Sequence, residues 1–108
     1  MNQEAAIQAV IDRQTGPLAK KIFETYMRTP QGRVKLAHSM VHPARLLVEY
    51  ISSSSKVTVD TLEYPTRVDE YKRFLAAVTD EEKAGEPYVE LQGYVIAIEA
   101  FLKPPAKT

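Results

Sequence analysis

Apolar side chains recur along the first fifty residues at helical spacing. Within residues 3–14, Ile7, Val10 and Ile11 fall at i, i+3 and i+4, one stripe on a helix of about three turns. Asn2 stands where an acceptor side chain caps such a helix. Thr15-Gly16-Pro17 breaks the pattern, with glycine suited to a left-handed cap and proline to opening the next helix. Residues 17–28 carry two apolar rows, Leu18, Ile22 and Tyr26 beside Ala19, Phe23 and Met27. Thr29-Pro30 repeats the cap-then-proline signal. Val34, Ala37, His38 and Val41 follow with a helical period. Pro43, which lacks an N–H and disfavours a helical His42, is expected to stop or kink that run. Residues 44–51 resume it with Leu46, Leu47, Tyr50 and Ile51, and Ser52-Ser53-Ser54-Ser55 end it.

Beyond the serines the period changes. Residues 56–62 (Lys56-Val57-Thr58-Val59-Asp60-Thr61-Leu62) are β-branched and roughly alternating, which predicts a strand. Tyr64-Pro65 reads as a turn. In residues 66–79, Val68, Tyr71, Leu75 and Val78 recur at helical spacing behind Asp69 and Glu70, so a helix is expected there. Residues 80–87 read as a charged loop. Residues 88–91 and 94–101 flank Gln92-Gly93 and predict a β-hairpin whose second strand is apolar on both faces. The fold class expected is therefore α+β: three or four short helices, then a small antiparallel sheet or hairpin. One domain spans residues 1–103, and Pro104-Pro105-Ala106-Lys107-Thr108 forms an extended tail.

Composition narrows the function. The 108 residues hold 14 Lys+Arg and 14 Asp+Glu, so no global field draws the chain to nucleic acid or to an anionic membrane. The absence of cysteine excludes disulfides, thiolate metal sites and a cysteine nucleophile. No apolar run approaches the ~20 residues of a bilayer span, and the opening residues resemble no secretory or transit signal. Charge is uneven, however. Residues 1–55 hold seven bases against four acids, and residues 56–108 hold seven against ten. A basic half joined to an acidic half can pair internally or with another copy.

Catalytic constellations are hard to assemble. His38 and His42 share a helix side, but no third ligand is near in sequence and Pro43 disturbs the turn. Ser39 beside His38 lacks a glycine elbow and an orienting carboxylate. Asp80-Glu81-Glu82 lacks the alternating ligands and central glycine of a calcium loop. Neither cofactor nor metal is expected, and no enzyme.

Residues 28–62, RTPQGRVKLAHSMVHPARLLVEYISSSSKVTVDTL, resemble the N-terminal region of tailed-bacteriophage major capsid proteins. The likeness rests on Ser39, Met40, Pro43, Arg45, Glu49, Tyr50, Val57, Val59 and Asp60. More loosely, residues 85–102 resemble the later part of that family's extended loop. The resemblance implies a capsid-related or virion-associated protein, in host cytoplasm or virion, whose surfaces bind other subunits.

Together these readings lead to a non-enzymatic structural or interaction protein that self-assembles or binds a larger protein. The candidate partner-binding residues are Lys20, Lys21, Arg28, Arg33, Lys35 and Arg45 on the basic half, and Tyr88, Tyr94 and Phe101 in the hairpin. The alternative is a small regulator or inhibitor that meets nucleic acid, or a nucleic-acid-binding protein, through the basic helices.

Overall fold

Helix signals in the first half of the chain are realised almost residue for residue. The structure, a computed structural model, describes residues 2–53 and 63–102. α1 (Gln3–Asp12) starts at Asn2, whose side chain accepts the Ala5 N–H at 2.8 Å. α2 (Pro17–Met27) opens on its proline, and α3 (Pro30–Ser53) follows after two residues. The Thr29 hydroxyl accepts the Gly32 N–H at 3.0 Å, satisfying a donor that α3 itself cannot. Gly16 is the N-cap of α2, at φ −100°, and not a left-handed cap for α1.

A stop at Pro43 and a turn at Tyr64-Pro65 are both corrected. α3 runs unbroken through Pro43 to Ser53. A single proline removes one backbone hydrogen bond and crowds one carbonyl. Ala44, fully buried, and the half-buried Leu47, Val48 and Ile51 beyond it still pack on the core, which carries the helix past the defect. Tyr64-Pro65 is no turn but part of the first turn of α4 (Glu63–Ala76), where a missing N–H costs nothing. The helix expected over residues 66–79 is thus present, starting three residues earlier. The charged stretch after it contains a single-turn helix, α5 (Asp80–Lys83), capped by the Thr79 hydroxyl. The strand expected at residues 56–62 and the tail at 104–108 lie outside the described residues.

The larger correction concerns the C-terminal hairpin. Tyr88–Leu102 is one continuous helix, α6, and no strand occurs among the described residues. Tyr88, Leu91, Val95 and Ile98 are all buried and recur at i, i+3, i+7 and i+10, a helical stripe inside a segment apolar enough to satisfy a two-residue period as well. Gly93 sits mid-helix in open space. The chain is all-helical where described, not α+β. The extended loop that the second stretch of likeness implied is a helix here, so the capsid and virion roles draw nothing from the fold.

α6 packs its buried face against both α3 and α4, while α1 bridges α2 and α4. Gln3 Nε2 donates to the Ala77 carbonyl at 3.2 Å, and Arg13 reaches Asp69 at 3.1 Å, so α1 and α4 run antiparallel. Phe74, Ile11, Met27, Leu91 and Ile98 form the fully buried centre. Phe74 and Tyr88 stack with ring centroids 6.1 Å apart.

Candidate interaction surfaces

α2 has two apolar rows and only one core to face. Met27 is buried and Phe23 packs against the core, whereas Leu18, Ile22 and Tyr26 stay exposed, Leu18 to 71%. On the adjoining face Pro17, Lys20, Lys21, Glu24, Thr25 and Arg28 line an open hollow of about 630 Å³. Lys20 and Lys21 make no ion pair among the described residues. Arg28 is held back by α1, donating to Glu4 at 2.8 Å and to Gln8 at 2.9 Å. On α3, Lys35 is exposed, and Arg45 is exposed between His42 at 2.9 Å and Glu49 at 3.9 Å.

Arg33, expected among the partner-binding residues of the basic half, is not part of this surface. It is 5% exposed. Its Nε and Nη2 grip both carboxylate oxygens of Glu82 at 2.9–3.2 Å, and Nη1 donates to the Met27 carbonyl at 2.8 Å. A planar fork on a carboxylate satisfies both charges away from water. The pair pins α5 to the α2–α3 junction.

Tyr88 is likewise a core residue, 2% exposed, and its hydroxyl makes no hydrogen bond among the described residues. Burial, aided by the Glu82 carboxylate and opposed by Arg33, pushes its phenol up to about 12. Tyr94 is half-buried beside α3 and donates its hydroxyl to Glu90 at 2.6 Å. That hydrogen bond raises its pKa, with desolvation and the Glu90 charge adding to it. Phe101 is half-buried. Of the three aromatic candidates only Tyr94 reaches the rim of a surface with its polar end.

The outer face of α6 is a further exposed apolar surface. Val89, Gly93, Ile96, Ala97 and Ala100 all face solvent, Val89 at 53% and Ile96 at 67%. Read as alternating strands, these residues belonged to two faces; read at 3.6 residues per turn, they form one.

The remaining candidates take ordinary places. His38 and His42 do share the exposed side of α3, yet no three metal-ligating side chains converge among the described residues. The Ser39 hydroxyl donates to the Leu36 carbonyl at 2.6 Å. Glu82 of the acidic triplet is committed to Arg33, while Asp80 and Glu81 point to solvent. A cleft between α1, α2, α3 and α4, lined by Val10, Phe23, Met40 and Phe74 among others, encloses about 30 Å³, the room of a single water molecule. No helix among the described residues is long and apolar enough to cross a membrane.

Compared with protein families, curated proteins and solved structures, the chain matches none.

Proposed function

We propose that this protein performs no chemistry of its own and works by binding proteins, taking an acidic amphipathic segment of a partner across α2. The observation that supports this most is the pairing of two features on one helix. Leu18, Ile22 and Tyr26 form an exposed apolar row, Lys21 stands beside it with Lys20 further round the helix, and neither lysine makes an ion pair among the described residues. Covering a leucine, isoleucine or tyrosine fully is worth roughly 1.5–3 kcal/mol each. A helix with its own apolar row and flanking Glu or Asp would complement both features at once.

Nitrogen-15 NMR of the full chain, titrated with a helix-forming Glu/Leu peptide, tests this reading. Shift changes confined to α2 and its flanks are expected, and they disappear in the Lys20→Glu/Lys21→Glu variant. No change with peptide at about 1 mM, where even weak complexes form, would overturn it. Duplex DNA titrated at two salt concentrations separates the regulator reading, because phosphate contacts impose a steep salt slope.

A further inference from the structure

Two imidazoles stand one turn apart on the solvent side of α3. His38 and His42 are both exposed, at i and i+4 of a helix that runs unbroken from Pro30 to Ser53. Helix geometry sets the Cβ atoms of such a pair about 5–6 Å apart, one above the other on the same face. Ring nitrogens at that spacing can reach one ion together, at the ~2.0–2.1 Å of a metal–imidazole bond. Imidazole suits zinc, copper and nickel, whereas magnesium and calcium prefer oxygen.

We infer that His38 and His42 form a two-histidine chelate for a late first-row divalent cation, zinc being the probe, and that Arg45 opposes its binding. This goes beyond the α2 reading and uses a different helix. The backbone spacing is set before any ion arrives, because Ala37 and Ala44, both fully buried, anchor α3 to the core around the pair. Chelation then costs side-chain ordering alone. Pro43 withholds the N–H that would bond the Ser39 carbonyl, so the adjoining turn lacks one link of its ladder. A cation shared by His38 and His42 spans nearly the same turn from outside and clamps the helix there. No third ligand converges among the described residues, so water fills the other positions and the site is a weak one.

Arg45 gives the site a competitor. Its Nη2 lies 2.9 Å from His42 Nδ1. A guanidinium only donates, so Nδ1 accepts and the proton of the neutral ring is on Nε2. A ligating imidazole has the reverse need, with one nitrogen on the metal and an N–H on the other donating outward. An ion therefore takes His42 only once Arg45 lets go, and Glu49, 3.9 Å from Arg45 Nε, is there to receive the arginine. Arg45 also brings a like charge to the ion. Its removal tightens binding about ten-fold, the worth of one hydrogen bond and one screened charge.

Zinc chloride titrated into the full chain to about 1 mM, followed by the imidazole nitrogen-15 signals, is the primary measurement. Both rings are expected to shift together along one curve, with a dissociation constant roughly in the tens to hundreds of micromolar, because water fills half of the four positions of an ordinary zinc site. Magnesium at the same concentrations moves neither ring. His38→Ala and His42→Ala change exposed side chains, so circular dichroism should show the helix content kept. Each should weaken zinc on the order of 100-fold, since a single imidazole has no second ligand held beside it. Arg45→Met should tighten it about ten-fold. A shift in one ring only, still imidazoles while Asp80 or Glu81 respond, full affinity in His38→Ala, or no tightening in Arg45→Met overturns the inference.

Discussion

Arg33 and Glu82, 49 residues apart in sequence, close a two-pronged ion pair that ties the start of α3 to α5. Arg33 is buried and its side chain also holds the Met27 carbonyl at the end of α2, so one guanidinium joins three helices. Removing one member of such a pair leaves the other charge without compensation. Glu82→Gln and Arg33→Met are each expected to cost about 3 kcal/mol in urea unfolding, a large share of a small domain's stability. Arg33→Lys should recover less than half of this, since an ammonium cannot span both oxygens. A loss under about 0.5 kcal/mol for either single variant, as for an exposed pair, would refute this assignment.

Tyr88 offers a test with a pH signature. Its phenol sits at about 12 in the folded protein against 10.0 for an ordinary tyrosine, mainly because it is buried. The folded state therefore keeps the proton longer than the unfolded chain does. Its stabilising contribution is complete below pH 10 and is lost as the pH climbs from 10 to 12, by up to about 1.4 kcal/mol per pH unit. Tyr88→Phe removes this component of the alkaline slope. At neutral pH it should change stability by no more than about 1 kcal/mol, because the hydroxyl it deletes has no hydrogen-bond partner among the described residues. Identical alkaline slopes in the two proteins would show that Tyr88 is not the titrating group.

Gly32 is required for space. A Cβ there would fall on the Tyr26 carbonyl oxygen, with Tyr26 Cα only 2.7 Å away. These are backbone atoms, so no side chain can swing aside. Gly32→Ala is expected to destabilise by about 1–3 kcal/mol through opening the α2–α3 junction. The same change at Gly93, which has nothing within 4 Å, should stabilise by up to about 1 kcal/mol through helix propensity. Thermal unfolding of the two variants should move in opposite directions, and a shared direction would count against the tight junction.

Pro43 interrupts the hydrogen-bond ladder of a helix that nevertheless continues. Pro43→Ala restores one N–H to the Ser39 carbonyl and removes the ring's clash with it. A gain of about 1–2 kcal/mol is expected, below the full interior proline penalty because α3 has already adapted. Unchanged or lowered stability would mean that the proline supplies packing worth as much as the lost bond.

Asp69 joins two helices, holding Arg73 at 2.8 Å on its own helix and Arg13 of α1 at 3.1 Å. The Arg73 hydrogen bond keeps its carboxyl below 3.8, helped by the charges of Arg73, Arg13 and Lys72 and opposed by desolvation. A folded pKa below the unfolded one means that the contribution is present above pH 3.8 and fades as the pH falls through the folded value. A carbon-detected NMR titration should show an Asp69 midpoint under 3.8 that moves up in Arg73→Gln. No movement would remove Arg73 as the cause.

The local chemistry of the first half is written plainly in its residues. Asn2, Pro17, Thr29 and Pro30 act on backbone groups within one turn of themselves, so their effect does not wait for a tertiary context. The helix around Val68, Tyr71, Leu75 and Val78 is legible for the same reason, because one polar side and one apolar side leave a single period that fits. At residues 88–101 this signal fails. Almost every position there is apolar, so two-residue and 3.6-residue periods fit equally well, and Val, Ile, Tyr and Phe tilt the local preference to strand. The grooves of α3 and α4 favour a helix and override that tilt.

Whether a charge is a handle or a strut is likewise decided in three dimensions. Arg33 and Lys35 are two residues apart and look alike in the sequence; one is locked to Glu82 in the interior and the other lies in solvent. The residues by themselves determined where helices begin and which positions are apolar, since these depend on neighbours a turn away. Tertiary structure alone decided which of two apolar rows on α2 is buried, that α6 is a helix with a bare outer face, and which cation meets which acid. Those outcomes depend on which surfaces pack together across the chain, and packing is not a property of any local stretch.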